Sequence, residues 1–437
     1  MSHPTATSQP HRTGRPIRVG YFLRSTGFGG MERYLIVVLQ RLDRKAIEPI
    51  LFLHTTSDSP REQLLQTFAD LRVPVFEIDQ RGVPVIETNG HDQSHRRKTP
   101  QAEASVQTAS GFGSAITVAK TLWWYWACIR RTARSLRPHR LDAVHFVAGW
   151  FPCFELAVLG SQLAGIPVRL VDVIQEPYDL ALLEPERRWI VRLAGRSATH
   201  VRAMNQQMRR QLETQYGIAA RKVHVLKGVI DLERFFESDN SPASDVRTSL
   251  GLSLDARLVA TLGRLGEYKG NDLFLQAIQA LQERFPQVHY LIIGDGPLRH
   301  ELQAQASQLG LSRQVHFLGW HDDIPLLLRA ADLFVMPSMK EGGPYVVVEA
   351  MASGTPVIAT DVGFVREVMQ ERTTGRIVRS GSVEDLVAAM TDLLEADPSV
   401  LKRMGLAARE HVRTTILPEP WFERLLSIYS RITPGVS

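Results

Sequence analysis

Short apolar runs alternate with stretches of helical periodicity along nearly the whole chain. Residues 17–23 read as a strand, followed by a Gly-rich turn and a helix over about 31–42. Residues 50–53 and 75–78 read as further strands, with a helix near 62–71 between them. From 115 the alternation resumes with a helix over 115–136, a strand at 143–147, a helix near 153–164 and a strand at 168–174. Helices near 184–194 and 205–215 and strands at 199–201 and 222–226 complete this half. Strands that are apolar throughout, each followed by a helix, predict a parallel, doubly wound sheet covered on both faces.

Residues 237–244, polar and containing a proline, break the rhythm as a linker, and it then restarts. Strands at 257–262, 289–293, 315–317, 333–336 and 356–359 alternate with helices near 271–284, 297–309, 324–330, 345–353 and 383–394. The expected organisation is a tail over 1–16, a first Rossmann-like domain over 17–228, and a second over 229–417. A final helix within 418–437 is expected to cross back to the first domain. Residues 82–114, rich in Gly, Pro, Ser, Thr, Gln and His, read as an inserted flexible loop. Such sheets bind ligands at the carboxyl ends of their strands, so the expected site is a cleft between the two domains.

The chain has 437 residues, 44% hydrophobic and 22% charged, enough for two or three cores. That excludes a disordered or collagenous chain, and two cysteines, Cys128 and Cys153, exclude a disulfide scaffold. Residues 1–16 are polar and carry Pro4, Pro10 and Pro16, so no secretory signal is read there. The most apolar stretch, 147–168, contains Pro152, Glu155, Gln162 and Pro167, which argues against a spanning helix. The expectation is a soluble, cytoplasmic protein. A formal charge of +5 comes with no dense basic block, the longest being residues 96–98 and 130–131, so nucleic acid is not an expected partner.

Three blocks carry chemistry. Residues 27–33 (Gly27, Phe28, Gly29, Gly30, Met31, Glu32, Arg33) follow the first strand and open a helix, a setting in which backbone N–H groups meet an anion. A tight turn alone would also explain them. A dinucleotide fingerprint fails, because Glu32 stands at the third glycine and His54 stands where the ribose acid would close strand two. Residues 263–270 place Arg264 and Lys269 on one loop ahead of a helix, a natural clamp for a diphosphate, although loop cations are also commonly just solvated. Residues 337–360 are the most specific. Gly342 and Gly343 expose backbone donors ahead of Pro344, which fits a first helical position. Glu341 lies in the loop and Glu349 inside the helix, where a carboxylate needs partners such as ligand hydroxyls or nearby backbone N–H groups.

These blocks, with Ile293-Gly294-Asp295-Gly296-Pro297, resemble the retaining glycosyltransferases of family 4 in order and spacing, over most of residues 17–430. The resemblance implies the GT-B fold, two Rossmann-like domains facing across a cleft, and a nucleotide-diphosphate sugar as donor. It implies that Arg264 and Lys269 neutralise the diphosphate, with the backbone of Gly29 and Gly30 lining the same cleft. Glu349 would hold the ribose, and Glu341 the transferred sugar within the loop Gly342, Gly343, Pro344 and Tyr345. Gly319, Trp320 and His321 would meet the base. No cofactor and no metal are implied, and the chain contains no Asp-x-Asp motif. The acceptor would be a hydroxyl of a glycan, a lipid-linked sugar or a small molecule.

The first domain departs from the family pattern. Val147 and Gln175 stand where the family often has histidines, and Gly228-Val229 replaces an expected Asn-Gly. His145 remains as a catalytic candidate, beside its reading as a core residue. These departures keep open a second class, a non-catalytic nucleotide-sugar-binding or partner subunit of the same fold. Ala119, Leu122, Trp123, Trp126, Ile129, Ala133 and Leu136 form a helical stripe expected to face the core. Trp124 and Tyr125 fall off it, among Lys120, Arg130, Arg131 and Arg134, a face suited either to an anionic bilayer at the inner surface of the membrane or to packing under the insertion.

Overall fold

The structure, a computed structural model, describes residues 15–25, 30–55, 61–78, 115–148, 154–174, 177, 179–236, 244–321 and 323–430. The inserted loop, nearly all of the N-terminal tail, the linker core, Gly29, Cys153, Gln175 and residues 431–437 lie outside these.

The first half runs β1 (Ile17–Ser25), α1 (Gly30–Arg41), β2 (Ile47–Thr55), α2 (Arg61–Asp70) and β3 (Val75–Glu77). It continues with α3 (Ala115–Leu136), β4 (Ala143–Ala148), α4 (Glu155–Leu163) and β5 (Val168–Val173). Next come α5 (Pro185–Ser197), β6 (His200–Ala203), α6 (Gln206–Thr214) and β7 (Val223–Val225). Two short helices, α7 (Glu233–Phe236) and α8 (Ser244–Ser249), lead to the second half.

That half comprises β8 (Arg257–Leu262), α9 (Asn271–Leu281), β9 (Val288–Ile293), α10 (Arg299–Gln308) and β10 (Val315–Gly319). Then follow α11 (Ile324–Ala330), β11 (Leu333–Met336), α12 (Tyr345–Ala352), β12 (Val357–Thr360) and α13 (Val365–Val368). It closes with β13 (Gly375–Val378), α14 (Val383–Glu395), α15 (Pro398–Thr415) and α16 (Pro418–Tyr429). The rhythm read from the sequence did not include β13, α13 or α15. β13 carries Gly375 and Arg376 and is not an apolar run. α15 directly follows α14 with no strand between them to mark a new unit.

Two parallel sheets result, ordered β3-β2-β1-β4-β5-β6-β7 and β10-β9-β8-β11-β12-β13. Val19, Tyr21, Phe22 and Leu23 of β1 have no exposed surface, as expected for a strand covered on both sides. One face of the first sheet carries α3 against α4 and α4 against α5. The other buries α1 and α16: Tyr34, Leu35, Trp421, Leu425 and Tyr429 share one apolar cluster with Val19 and Tyr21.

The stripe on α3 divides. Ala133 and Leu136 are buried beside Cys128, but Leu122, Trp123 and Trp126 are exposed, Trp123 to 70%. The upper half of the stripe therefore faces away from the core, contrary to its periodicity. Among the described residues no helix is long and apolar enough to cross a membrane.

Candidate active site

Each sheet reverses its order in the middle, at β1/β4 and at β8/β11. Loops leaving neighbouring strands at such a point open a crevice at the carboxyl edge. This brings together two of the blocks read from the sequence. The loop after β8 and the loop after β11 meet, so that Lys269 Nζ donates to Glu341 Oε1 at 2.5 Å across 72 residues of chain. Ser338 Oγ donates to the same oxygen at 2.9 Å, and the Met339 amide donates to the Tyr268 carbonyl at 2.8 Å. Gly270 is required where the loops touch: its φ is 64°, and a Cβ there would fall 2.1 Å from the Pro337 carbonyl oxygen. Arg264, on the same loop as Lys269, is exposed.

The helix after the second loop begins at Tyr345, within the expected span, with Pro344 as its N-cap and not its first helical residue. Glu349, one turn further, is 8% exposed, and among the described residues it makes no ion pair. Burial pushes its carboxyl above the ordinary range, with Arg33 and Arg234 pulling the other way. Arg33 comes from α1 and lies 5.4 Å over the ring of Trp320, which follows β10. The first helix thus reaches across to the segment Gly319, Trp320 and His321 and to Glu349. Arg33 was not singled out from the sequence, although it closes the Gly-rich block. A cation directly after a phosphate-type turn was the available signal. Arg299 was missed too: it backs Gly319, whose Cβ would fall 2.7 Å from its guanidinium, and pairs with Asp295 at 3.0 Å. At Gly30, the first residue of α1, a Cβ would meet nothing within 4 Å among the described residues.

His145 lies elsewhere. It is fully buried on β4, with Nε2 2.8 Å from Asp172 Oδ2 and Nδ1 2.7 Å from the Tyr429 hydroxyl. With both ring nitrogens engaged and no solvent-facing surface, it ties β4 to β5 and α16 as a core residue and is not kept as a catalytic candidate. Val147 is likewise fully buried, paired with Leu23 and Asp172 in the sheet.

Asp172 is the hub of a buried charge cluster that the sequence did not announce. Arg202 grips it with two N···O contacts of 2.8 Å, one to each oxygen, and the Tyr34 hydroxyl donates to it at 2.8 Å. Burial pushes the Asp172 carboxyl up, but Arg202 and His145 outweigh this and hold it well below the usual range. Among the described residues no three His, Cys, Asp or Glu side chains converge as a metal site.

Comparison with known proteins places this architecture. Residues 28–234 match the model of glycosyltransferase family 4, and residues 244–411 match that of the group 1 glycosyl transferases. The chain is 30% identical over 289 residues to a GDP-mannose-dependent phosphatidylinositol monomannoside mannosyltransferase of Mycolicibacterium smegmatis, covering 64% of this chain and 74% of that one. It is 36% identical over 212 residues to the D-inositol 3-phosphate glycosyltransferase of Nocardia farcinica, spanning only 46% of either chain. Several relatives are thus matched over about half their length. The structure of Anabaena HepE in complex with UDP and glucose superposes with a TM-score of 0.72 at 20% identity, over 95% of this chain and all of that one. The two parallel sheets, the crevice and both family models agree, and the chain belongs to glycosyltransferase family 4, with the GT-B fold.

Proposed function

We propose that the chain transfers a sugar from a nucleoside-diphosphate donor to an acceptor hydroxyl, with retention of anomeric configuration and without a bound metal ion. The observation that carries this is the meeting of Lys269 and Glu341 at the β8/β11 edge, the meeting point of two blocks identified separately. Lys269 and Arg264 supply cations for the diphosphate, Glu341 faces the transferred sugar, and Glu349 accepts from the ribose hydroxyls. Trp320, between Gly319 and His321 and under Arg33, meets the base. As the sugar–phosphate bond breaks, charge collects on the leaving diphosphate, where fixed cations and backbone N–H groups stabilise it. The leaving phosphate then takes the proton of the incoming hydroxyl on the same face of the sugar, so no separate protein base is required.

The acceptor reading is a glycan or lipid-linked sugar presented at an anionic bilayer. Helices in a parallel sheet run opposite to the strands, so their N-termini lie at the carboxyl edge, beside the cleft. Trp123, Trp124 and Trp126 lie at the middle of α3 and Trp189 in the first half of α5, all exposed. Arg130 stacks on Trp126 at 4.3 Å, and Arg134 and Arg137 line the same hollow. Exposed tryptophans beside arginines suit the headgroup layer.

A panel of UDP- and GDP-sugars, scored by thermal shift and donor hydrolysis, tests the donor. Product anomer assignment by NMR tests retention, and turnover in excess EDTA tests metal independence. Absence of both donor binding and hydrolysis across the panel overturns the reading. Binding without transfer to any acceptor would instead support a non-catalytic subunit.

A further inference from the structure

Tyr345 opens α12 in the second half, yet its side chain is lodged in the first. Its hydroxyl donates to Met204 Sδ at 3.8 Å, with the Gly228 backbone and the Arg202 guanidinium close beside it. A Cβ on Gly228 would fall 2.0 Å from that hydroxyl and 2.9 Å from the ring carbon bearing it. The backbone at Gly228 is not left-handed. The glycine therefore supplies room, not an unusual conformation. Phe364 closes the other side of the ring at 5.5 Å, nearly edge-on.

The neighbouring contacts point the same way. Asn205, the N-cap of α6, donates to the Gly342 carbonyl at 3.4 Å. A Cβ on Gly343 would fall 2.6 Å from Met204 Cε, so the loop backbone approaches that methionine as closely as a glycine allows. Lys227, beside Gly228, pairs with Glu367 of α13 at 3.1 Å. Gly342, Gly343 and Tyr345 are thus seated on Met204, Asn205 and Gly228.

Arg202 makes that seat rigid. Its guanidinium is 2% exposed and is fixed on two sides, by both Asp172 oxygens and by the Leu226 carbonyl at 3.0 Å, the residue two before Gly228. An arginine gripped as a fork has one orientation available, whereas a lysine or a free arginine has many. Burial raises the Tyr345 phenol to about 12, so it stays a neutral donor and acceptor at any working pH.

We propose that Tyr345, seated against Gly228 beside the Arg202–Asp172 pair, is a positioning residue that fixes the Glu341 loop from the opposite half of the molecule. The first half thereby sets the geometry of a sugar-binding loop to which it contributes no ligand. Misplacement of a reacting group by about 1 Å can cost on the order of 10²-fold in rate, so a seat of this kind acts on kcat. The role in turnover rests on the donor-site reading above, while the seat itself does not.

The test uses Gly228→Ala, Tyr345→Phe, Tyr345→Ala and the double variant Gly228→Ala/Tyr345→Ala in the full chain. Hydrogen exchange over residues 341–353 reads the seat without substrate. Gly228→Ala is expected to speed exchange there, with β8 and β9 unchanged. For turnover, Tyr345→Ala is expected to lower kcat about tenfold or more, with affinity for UDP or GDP within about twofold. Tyr345→Phe, which keeps the ring, is expected to recover most of that loss. The double variant is expected to be no more than slightly worse than Tyr345→Ala alone, because the clash with the phenol is then gone and only the Tyr34 ring, 3.3 Å from the added methyl, need give by a few tenths of an ångström. Parent-like exchange in Gly228→Ala, or multiplying losses in the double variant, overturns the seat. Faster exchange in a chain that turns over no donor upholds the seat and overturns the donor reading instead.

Discussion

The two halves share a fold plan but distribute polarity in opposite ways. In the second half the charged groups of interest sit in loops at strand ends: Lys269, Arg264 and Glu341 around one crevice, with Glu349 just inside its helix. In the first half the charges are at the centre of the sheet. Asp172, Arg202 and His145 are all buried, while tryptophans occupy the outside of α3 and α5. One half therefore closes its charges off within the protein, whereas the other sets them at the edge of a crevice, Lys269 against Glu341, where the proposed function has them meet a ligand. The first arrangement is a matter of stability and alignment, and on the proposed function the second is one of binding and chemistry.

The largest expected effect separates these two roles. Asp172→Ala leaves the Arg202 guanidinium buried without its partner, and breaking a buried pair in this way costs about 3–5 kcal/mol. Urea unfolding of the variant should show that loss, with an unchanged slope. Replacing the pair together, as Asp172→Asn/Arg202→Met, should recover most of it, since an apolar pair can replace a buried ion pair at little cost. A loss below about 1 kcal/mol in Asp172→Ala would mean that the cluster is solvated and does not tie the sheet together.

Lys269→Ala comes next and should reverse the pattern. The ammonium contributes to the crevice and little to the core, so unfolding should hardly change. Removing one group that stabilises transition-state charge costs about 3–4 kcal/mol, or roughly 10²–10³ in rate. Near-parent turnover by a folded Lys269→Ala chain would break the assignment of this loop to the diphosphate.

Why one half was legible from the sequence and the other was not follows from the same contrast. The elements of the second half announce their chemistry locally: Arg264 and Lys269 share one loop, and Glu341 and Glu349 share one block. Only their meeting required the sheet order. In the first half the cluster is assembled from β4, β5, β6, α1 and α16, so its members are scattered from Tyr34 to Tyr429. Arg202 sits in a short strand among apolar residues, and nothing nearby in the chain marks its partner. The stripe on α3 misled for another reason. Helical periodicity reports an apolar face, but it does not say whether that face meets a core or something outside the chain.

Glu349→Gln sharpens the comparison through pH. Asp172 has its carboxyl held below the unfolded value, so its stabilisation is complete above about pH 4 and is lost as pH falls through the acid range. Glu349 is raised instead, so its ionisation costs the fold as pH rises from the ordinary carboxylate value through the raised one. Glu349→Gln removes that cost. The variant should be more stable than the parent at neutral pH, and the difference should vanish near pH 4. Donor affinity should move the other way: a hydrogen bond to a charged group contributes about 1.5–3 kcal/mol, so binding should weaken about 10- to 100-fold. Unfolding curves at several pH values and a donor titration check both signs. A variant that loses stability and keeps its affinity would place Glu349 with the first-half charges, as a group serving the fold.

The smallest effect concerns the outside of the first half. Trp123→Ala/Trp126→Ala removes two exposed rings and touches neither the buried cluster nor the crevice, so unfolding and turnover of a water-soluble acceptor should match the parent. Each ring buried in a headgroup layer contributes by the apolar area it removes from water, and each nearby arginine adds about 1 kcal/mol at an anionic surface. Sedimentation with vesicles containing phosphatidylglycerol should therefore show the parent bound and the variant weakened by about tenfold. Added salt should weaken both, because Arg130, Arg131 and Arg134 are common to them. If the parent ignores vesicles at low salt, the exposed rings serve some other contact, and the first half keeps its buried charges without the bilayer that its surface was read to meet.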